Sequence, residues 1–366
     1  MRDQRRSSVP KWRGVAVRSV IVGALVALIG SATAFAQRPT DGSPWPSPPD
    51  RPPSHSDGPV AHTTDLSDPI SPWLPYTTAE AAIVVDRTTG AILGGKNHDE
   101  RWAPASTTKI MTALLTVEAI DAGRISLDST VVVQADVDIE PGSGDVGLAA
   151  GDRVSVRDLL NMAMLESAND AAVALGTYVG GSRDAFIATM NARADELGLN
   201  DTSYVDISGR DPEDLNDERR LRAHEICRND GNNFTLAECA HYSTARDLAA
   251  LARVALDEPL FATLAQRTNW RTTTWRRGRF LIMDRLLSTT NQLLSGGPNA
   301  YTGAYGVRTG TTDMARENLV SAARNTDPEG KDVIAVVLGS DNDLTTTPDR
   351  YTDSTTLLDW ALDRTP

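Results

Sequence analysis

Pro104-Ala-Ser-Thr-Thr-Lys-Ile-Met-Thr-Ala-Leu-Leu115 is the stretch on which the reading of this chain turns. A serine and a lysine stand three residues apart at the start of an apolar helical run. On an α-helix, positions i and i+3 share a face, so the Lys109 amine can lie against the Ser106 hydroxyl. That pairing suits a serine nucleophile whose base is a lysine. Pro104 and Ser106 also have the character of a helix opening. Unpaired N–H groups there present partial positive charge to an oxyanion. Serine and lysine at this spacing occur on ordinary capped surface helices too, so the pair needs support from elsewhere in the chain.

Two later segments supply it. Ser167-Ala168-Asn169 lies between two apolar helical runs, and Arg308-Thr309-Gly310 lies in the strand-like stretch Tyr305 to Thr312. The order Ser-x-x-Lys, Ser-x-Asn, basic-Thr-Gly resembles the penicillin-recognising serine enzymes. The chain is most similar to the D-alanyl-D-alanine carboxypeptidases, the low-molecular-mass penicillin-binding proteins. Phe186 to Gly198, Tyr242 to Ala249 and Asn291-Gln-Leu-Leu294 extend the likeness, which covers about residues 79–364.

The resemblance implies an α+β fold of the β-lactamase/DD-peptidase type: a five-stranded antiparallel sheet packed with helices, plus an all-helical subdomain. It implies an acyl-enzyme on Ser106, formed from a peptidoglycan stem peptide ending in D-Ala-D-Ala or from a β-lactam. Lys109 would take the serine proton and Ser167 would relay a proton to the departing amine. Asn169 would hold Lys109 and the substrate amide. The oxyanion would rest on the backbone N–H groups of Ser106 and Thr311. Arg308 and Thr309, followed by Gly310, would hold the substrate's terminal carboxylate. Arg308 departs from the family, which has lysine before Thr-Gly. Arginine keeps the charge and can grip a carboxylate with two N–H groups, but it is bulkier and does not give up its proton.

Two rival readings use the same residues. A class A-like β-lactamase would need a carboxylate to activate the deacylating water. Arg210-Asp-Pro-Glu-Asp-Leu-Asn216 invites that comparison, but Pro212 takes the catalytic glutamate position. A non-catalytic peptidoglycan-binding or regulatory protein would be one crippled at Arg308. The intact Ser106–Lys109 pair argues against it.

The 366 residues, 40% of them apolar, suffice for a large core. A formal charge of −13 argues against nucleic acid, whose binders carry basic faces. Residues 1–36 have a basic start, an apolar run from Val20 and the cleavage pattern Ala34-Phe35-Ala36, the form of a secretory signal peptide. An uncleaved membrane anchor is the alternative. Residues 37–78 are proline-rich, without apolar period, and read as a disordered linker. Residues 79–366 then form the catalytic domain of an exported, extracytoplasmic protein. Cys227 and Cys239, the only cysteines, suggest one disulfide in an exported chain. It would stabilise the fold by roughly 3 kcal/mol in the chain-entropy model.

Along the domain, Ala81–Asp86 and Ala91–Gly94 read as a hairpin. Helices are expected to about Ile120, over Val156–Leu165, Ala168–Val179, Phe186–Leu197, from a Ser243 cap to Leu256, and over Thr355–Leu362. Strands are expected at Thr130–Val133, Gly306–Thr312, Asn318–Ala323 and Val333–Gly339. Gly142-Ser-Gly-Asp-Val-Gly147 matches a dinucleotide fingerprint, but Pro141 before it and Leu148-Ala-Ala-Gly151 after it are turn-like, so it reads as a loop. The five histidines lack ligand spacing, and no metal or other cofactor is expected.

Overall fold

Two runs, Ala81-Ala-Ile-Val-Val85 and Val333-Ile-Ala-Val-Val-Leu338, are apolar at every position rather than alternating. Such runs belong to strands covered on both faces. In the computed structural model they are the central neighbours of a five-stranded antiparallel sheet. Its strands are β1 (Ala81–Asp86), β2 (Ile92–Lys96), β7 (Ala304–Thr312), β8 (Arg316–Arg324) and β9 (Asp332–Ser340), in the order β2-β1-β9-β8-β7. The structure describes residues 66, 74–135, 144–212, 215, 240–275, 282–294, 296–325, 330–340 and 350–363, all within one compact unit, Asp50–Pro366. The expected signal peptide, most of the expected linker, the disulfide expected at Cys227 and Cys239, and Glu213 lie outside the described residues.

Register sorts the side chains by face. Val85 pairs with Ile334 and Ile83 with Val336. Both pairs point into the larger core cluster. Their neighbours Ala82, Val84, Ala335 and Val337 point the other way, onto Leu357 and Leu358 of α7 (Arg350–Ala361). That helix starts five residues before the expected Thr355, because Arg350, Tyr351 and Asp353 are buried in its first turn.

The larger core holds α1 (Lys109–Asp121), α2 (Val156–Leu165), α3 (Asn169–Gly180), α4 (Arg183–Glu196), α5 (Ala245–Asp257) and α6 (Pro259–Ala265). All residues of α1 from Lys109 to Val117 are buried, so it is a central helix with no solvent stripe. Ser155 and Ser182 cap α2 and α4 by accepting N–H bonds from Asp158 and Ala185. The cap of α5 is Thr244, one residue after the expected Ser243; its hydroxyl accepts from Asp247 N–H. Ser243 is instead held by a bridge to Trp102.

A second sheet accompanies the helices. Its order is β3 (Thr130–Val132), β4 (Arg153–Ser155), β5 (Asn269–Trp275) and β6 (Ile282–Ser288). Only β3 was expected from sequence. In β5, Asn269-Trp-Arg-Thr-Thr-Thr-Trp275, the buried inward positions Thr272 and Thr274 are threonines, so no apolar alternation marks the strand. Gly144 to Leu148 is loop, with no helix opening on it among the described residues.

Candidate active site

Ser106, the candidate nucleophile, sits on a turn. Ala105–Thr108 forms one 3-10 turn and Lys109 opens α1. Ser106 thus stands just before the helix while Lys109 is inside the core. Serine is half-buried and lysine fully buried. Lys109 Nζ lies 2.9 Å from Ser106 Oγ, 2.7 Å from Asn169 Oδ1 and 2.7 Å from the Ser208 carbonyl oxygen. Burial, and then the charge of Arg308, hold this amine well below the ordinary lysine range, against the opposing carboxylates of Asp206, Asp145 and Asp170.

Ser167 joins from the α2–α3 connection. Its φ of +63° is unusual for a residue with a Cβ, and its hydroxyl faces Ser106. Ser167 Oγ donates to Ser106 Oγ at 2.8 Å. Asn169, the first residue of α3, faces Lys109. The four residues expected from the first two motifs therefore meet at one point.

Strand β7 forms the adjoining wall. A Cβ on Gly310 would lie 3.0 Å from the Pro104 carbonyl oxygen and 3.2 Å from Ser106 N. A side chain there would have to push the Ser106 turn back by a few tenths of an ångström, so glycine is what lets the strand come this close. Thr309 Oγ1 is 2.7 Å from Thr290 Oγ1, and Thr311 is exposed beside the turn. Arg308 is buried beneath the wall, not on it. Its Nη1 donates to Met164 O at 3.2 Å and to Thr290 Oγ1 at 3.4 Å. Its Nε and Nη2 have no partner among the described residues. Burial, and then repulsion from Arg350, bring this guanidinium down to about 9.

Several contributors were not anticipated. Arg350 donates to Gly310 O at 2.9 Å, Asn318 O at 3.2 Å and Thr311 Oγ1 at 2.6 Å, and its charge is balanced by Glu317. It fixes the end of β7 and places a second cation beside Thr311. Ser208 contributes through its backbone, which no motif records. Asp206-Ile-Ser-Gly209, with an aspartate followed by serine and glycine, carried a turn signal that could have marked this loop. Among the described residues no cluster of His, Cys, Asp or Glu could hold a metal ion.

A family model described as D-alanyl-D-alanine carboxypeptidase matches residues 69–342. The chain is 31% identical over 286 residues to D-alanyl-D-alanine carboxypeptidase DacF of Bacillus subtilis, covering 77% of this chain and 62% of the relative. It is 32% identical over 297 residues to the D-alanyl-D-alanine carboxypeptidase of Streptomyces sp. strain K15, covering 78% and 88%. The solved structure of a mutant Streptomyces K15 DD-transpeptidase superposes with a TM-score of 0.64 at 30% identity, over 79% of this chain and all of that one. A peptidoglycan synthesis regulatory factor from Streptococcus pneumoniae gives 0.65 at 27% identity, over 78% and 71%. The chain spans about three-fifths of the length of several curated relatives it matches. With the family model covering most of the folded part, and with serine, lysine, serine and asparagine in contact, the chain belongs to the D-alanyl-D-alanine carboxypeptidase family.

Proposed function

We propose that the chain is a serine-type D-Ala-D-Ala carboxypeptidase that trims peptidoglycan stem peptides and is acylated by penicillin. One observation carries the reading: the count of acceptors around Lys109. A neutral lysine amine has two N–H groups and one lone pair. Asn169 Oδ1 and the Ser208 carbonyl can only accept, so they take the two N–H groups. The lone pair is left for the Ser106 hydroxyl. Burial and the Arg308 charge favour that neutral form.

The chemistry follows from this arrangement. Ser106 Oγ attacks the carbonyl carbon of the penultimate D-alanine while its proton passes to Lys109. The developing oxyanion lies between the N–H groups of Ser106 and Thr311, whose approach Gly310 permits. Loss of one such donor costs about 3 kcal/mol in comparable sites. When the tetrahedral centre collapses, the C–N bond breaks and the amine takes a proton from Lys109 through Ser167, whose hydroxyl bonds Ser106 Oγ beside that route. D-alanine leaves, and water, deprotonated by Lys109, hydrolyses the ester. The substrate carboxylate rests on the hydroxyls of Thr309 and Thr311. Arg308 supplies positive charge from beneath through Thr290, and Arg350 supplies it beside Thr311.

Export, with cleavage or retention of the N-terminal segment, is part of the proposal and rests on the pattern of residues 1–36. Among the described residues no helix is long and apolar enough to cross a membrane. Mass spectrometry of the exported protein after penicillin treatment tests the reading. One adduct on the Ser106 peptide, with D-alanine released from a peptide ending in D-Ala-D-Ala, is expected. The same spectrum reads the mature N-terminus and the Cys227–Cys239 bond. Neither adduct nor released D-alanine would defeat the assignment.

A further inference from the structure

The Ser208 carbonyl does half the work of aiming Lys109, and something must hold that carbonyl. The loop after α4 turns sharply at Asp206-Ile-Ser-Gly-Arg210. The turn is wrapped on one carboxylate. Asp206 Oδ2 accepts from Ser208 N at 2.9 Å, Ser208 Oγ at 2.6 Å, Gly209 N at 3.1 Å and Arg210 N at 3.3 Å. Three successive N–H groups closing on one anion form a nest. Asp206 Oδ1 is paired with the Arg183 guanidinium at the first turn of α4. Both partners are buried, Asp206 completely. Gly209, at φ +87°, packs so close that a Cβ there would lie 1.9 Å from the Ala105 carbonyl oxygen. The turn therefore has no slack: fixing Asp206 fixes the Ser208 carbonyl against Lys109 and the nucleophile turn.

We propose that Asp206, clamped by Arg183, is a positioning residue of the reaction: it holds the Ser208 carbonyl that orients the Lys109 amine toward Ser106. The inference rests on Lys109 being the base. It assigns a role to an ion pair that lies in none of the three sequence motifs. A purely structural ion pair would need neither the nest nor a carbonyl delivered to the base.

Asp206 also acts on Lys109 through charge. Facing Lys109 are Arg308 from β7, Asp145 from the loop before β4, Asp170 from α3, and Asp206. Facing Asp206 are Arg183, Arg210 and His241. Burial opposes ionisation of Asp206, but these cations and the Ser208 hydrogen bond outweigh it and hold the carboxyl far below its usual range. Its anion favours the charged form of Lys109. Removing that charge while keeping the shape drives the Lys109 titration lower. A loop that merely came apart would admit water and drive it higher. The two explanations differ in sign.

The test is Asp206→Asn in the full-length chain, with two readouts. The first is the rate of acylation by a fluorescent penicillin across pH. The second is the titration of Lys109 followed by NMR of ¹³C-labelled lysine. The expected result is a rate at least tenfold lower at every pH, with the Lys109 midpoint displaced downward. A rate within twofold of wild type, or a midpoint that stays or rises, overturns the proposal. Ser208→Ala removes one of the four donors, keeps the charge and leaves the carbonyl. It should fold and cost two- to fivefold in rate with the midpoint in place, so it decides the matter if Asp206→Asn does not fold. No loss in Ser208→Ala then counts against the proposal. Failure of wild type itself to be acylated would strike the functional reading instead, and the NMR titration would still report on Asp206.

Discussion

Two buried cations serve this site, and they are held very differently. Lys109 has an acceptor for each N–H it carries when neutral, and its remaining contact is the nucleophile. Arg308 is equally buried, yet two of its donor nitrogens meet no partner among the described residues. Buried donors are nearly always matched, and leaving one unmatched costs about 1–3 kcal/mol. The fold thus specifies the lysine atom by atom and the arginine only as a charge. A group that transfers a proton must have its lone pair aimed. A group that biases the field need only be near.

Removing the lysine should produce the largest effect. Lys109→Met is expected to slow penicillin acylation by about 10²–10⁴-fold, the usual worth of a general base, as measured by fluorescent-penicillin labelling. Survival of more than a tenth of the rate would mean another group accepts the proton. Arg308 should show an intermediate effect through charge alone. Arg308→Met is expected to slow acylation by about ten- to a hundredfold, because a nearby opposite or like charge commonly moves a titration by 1–3 units. It should also raise the acid limb of the pH profile, since the arginine charge holds the Lys109 amine low. Arg308→Lys keeps the charge and should leave the limb in place. A hundredfold gain from that lysine would show that arginine impairs the natural protein.

A smaller effect concerns the support beneath the nucleophile turn. His241 Nδ1 accepts from Val205 N–H at 3.2 Å, which leaves Nε2 to donate to Thr108 Oγ1 at 3.2 Å. Burial brings this imidazole down to about 4, against the pull of Asp206. Its folded pKa lies below the unfolded one, so the unfolded chain takes up the proton first as pH falls. Stability is therefore lost between about pH 6.5 and 4, by on the order of 3 kcal/mol. Asp247, raised by burial to about 6, has the opposite sign, and loses stability as pH rises through that value. It is present in wild type and variant alike. Thermal melting of His241→Gln should consequently fall less steeply than wild type below pH 6.5; parallel curves would exclude this role.

The smallest effect is expected at the half-exposed pair of Arg285 with Glu166, next to Ser167. Exposed pairs contribute at most about 1 kcal/mol. Arg285→Ala should shift the melting temperature slightly and leave acylation within twofold. A larger loss of acylation would show that the β5–β6 hairpin touches substrate.

The sequence made the candidate catalytic side chains legible because their spacing is local: Ser106 and Lys109 lie three residues apart, and Ser167 and Asn169 two. The central sheet was legible because both faces of β1 and β9 are covered, which leaves unbroken apolar runs. Strand β5 was not, since threonines fill its buried positions. Nor was Ser208, whose contribution is a carbonyl that every residue possesses. Arg350 escaped because its contacts are to the Gly310 carbonyl and the Thr311 hydroxyl, on a strand 40 and 39 residues away in the chain. The burial of Arg308 depends on packing beneath β7, which an Arg-Thr-Gly motif does not encode.

The account depends on Lys109 being an unprotonated base where the enzyme works. The chain has four lysines, Lys11, Lys96, Lys109 and Lys331, so ¹³C labelling at the lysine ε-carbon gives a spectrum in which each can be assigned by substitution. The Lys109 signal should titrate with a midpoint well below the ordinary lysine range, and the midpoint should rise in Arg308→Met. A Lys109 midpoint at the ordinary lysine value, unmoved by Arg308→Met, would contradict the assignment of this amine as the base.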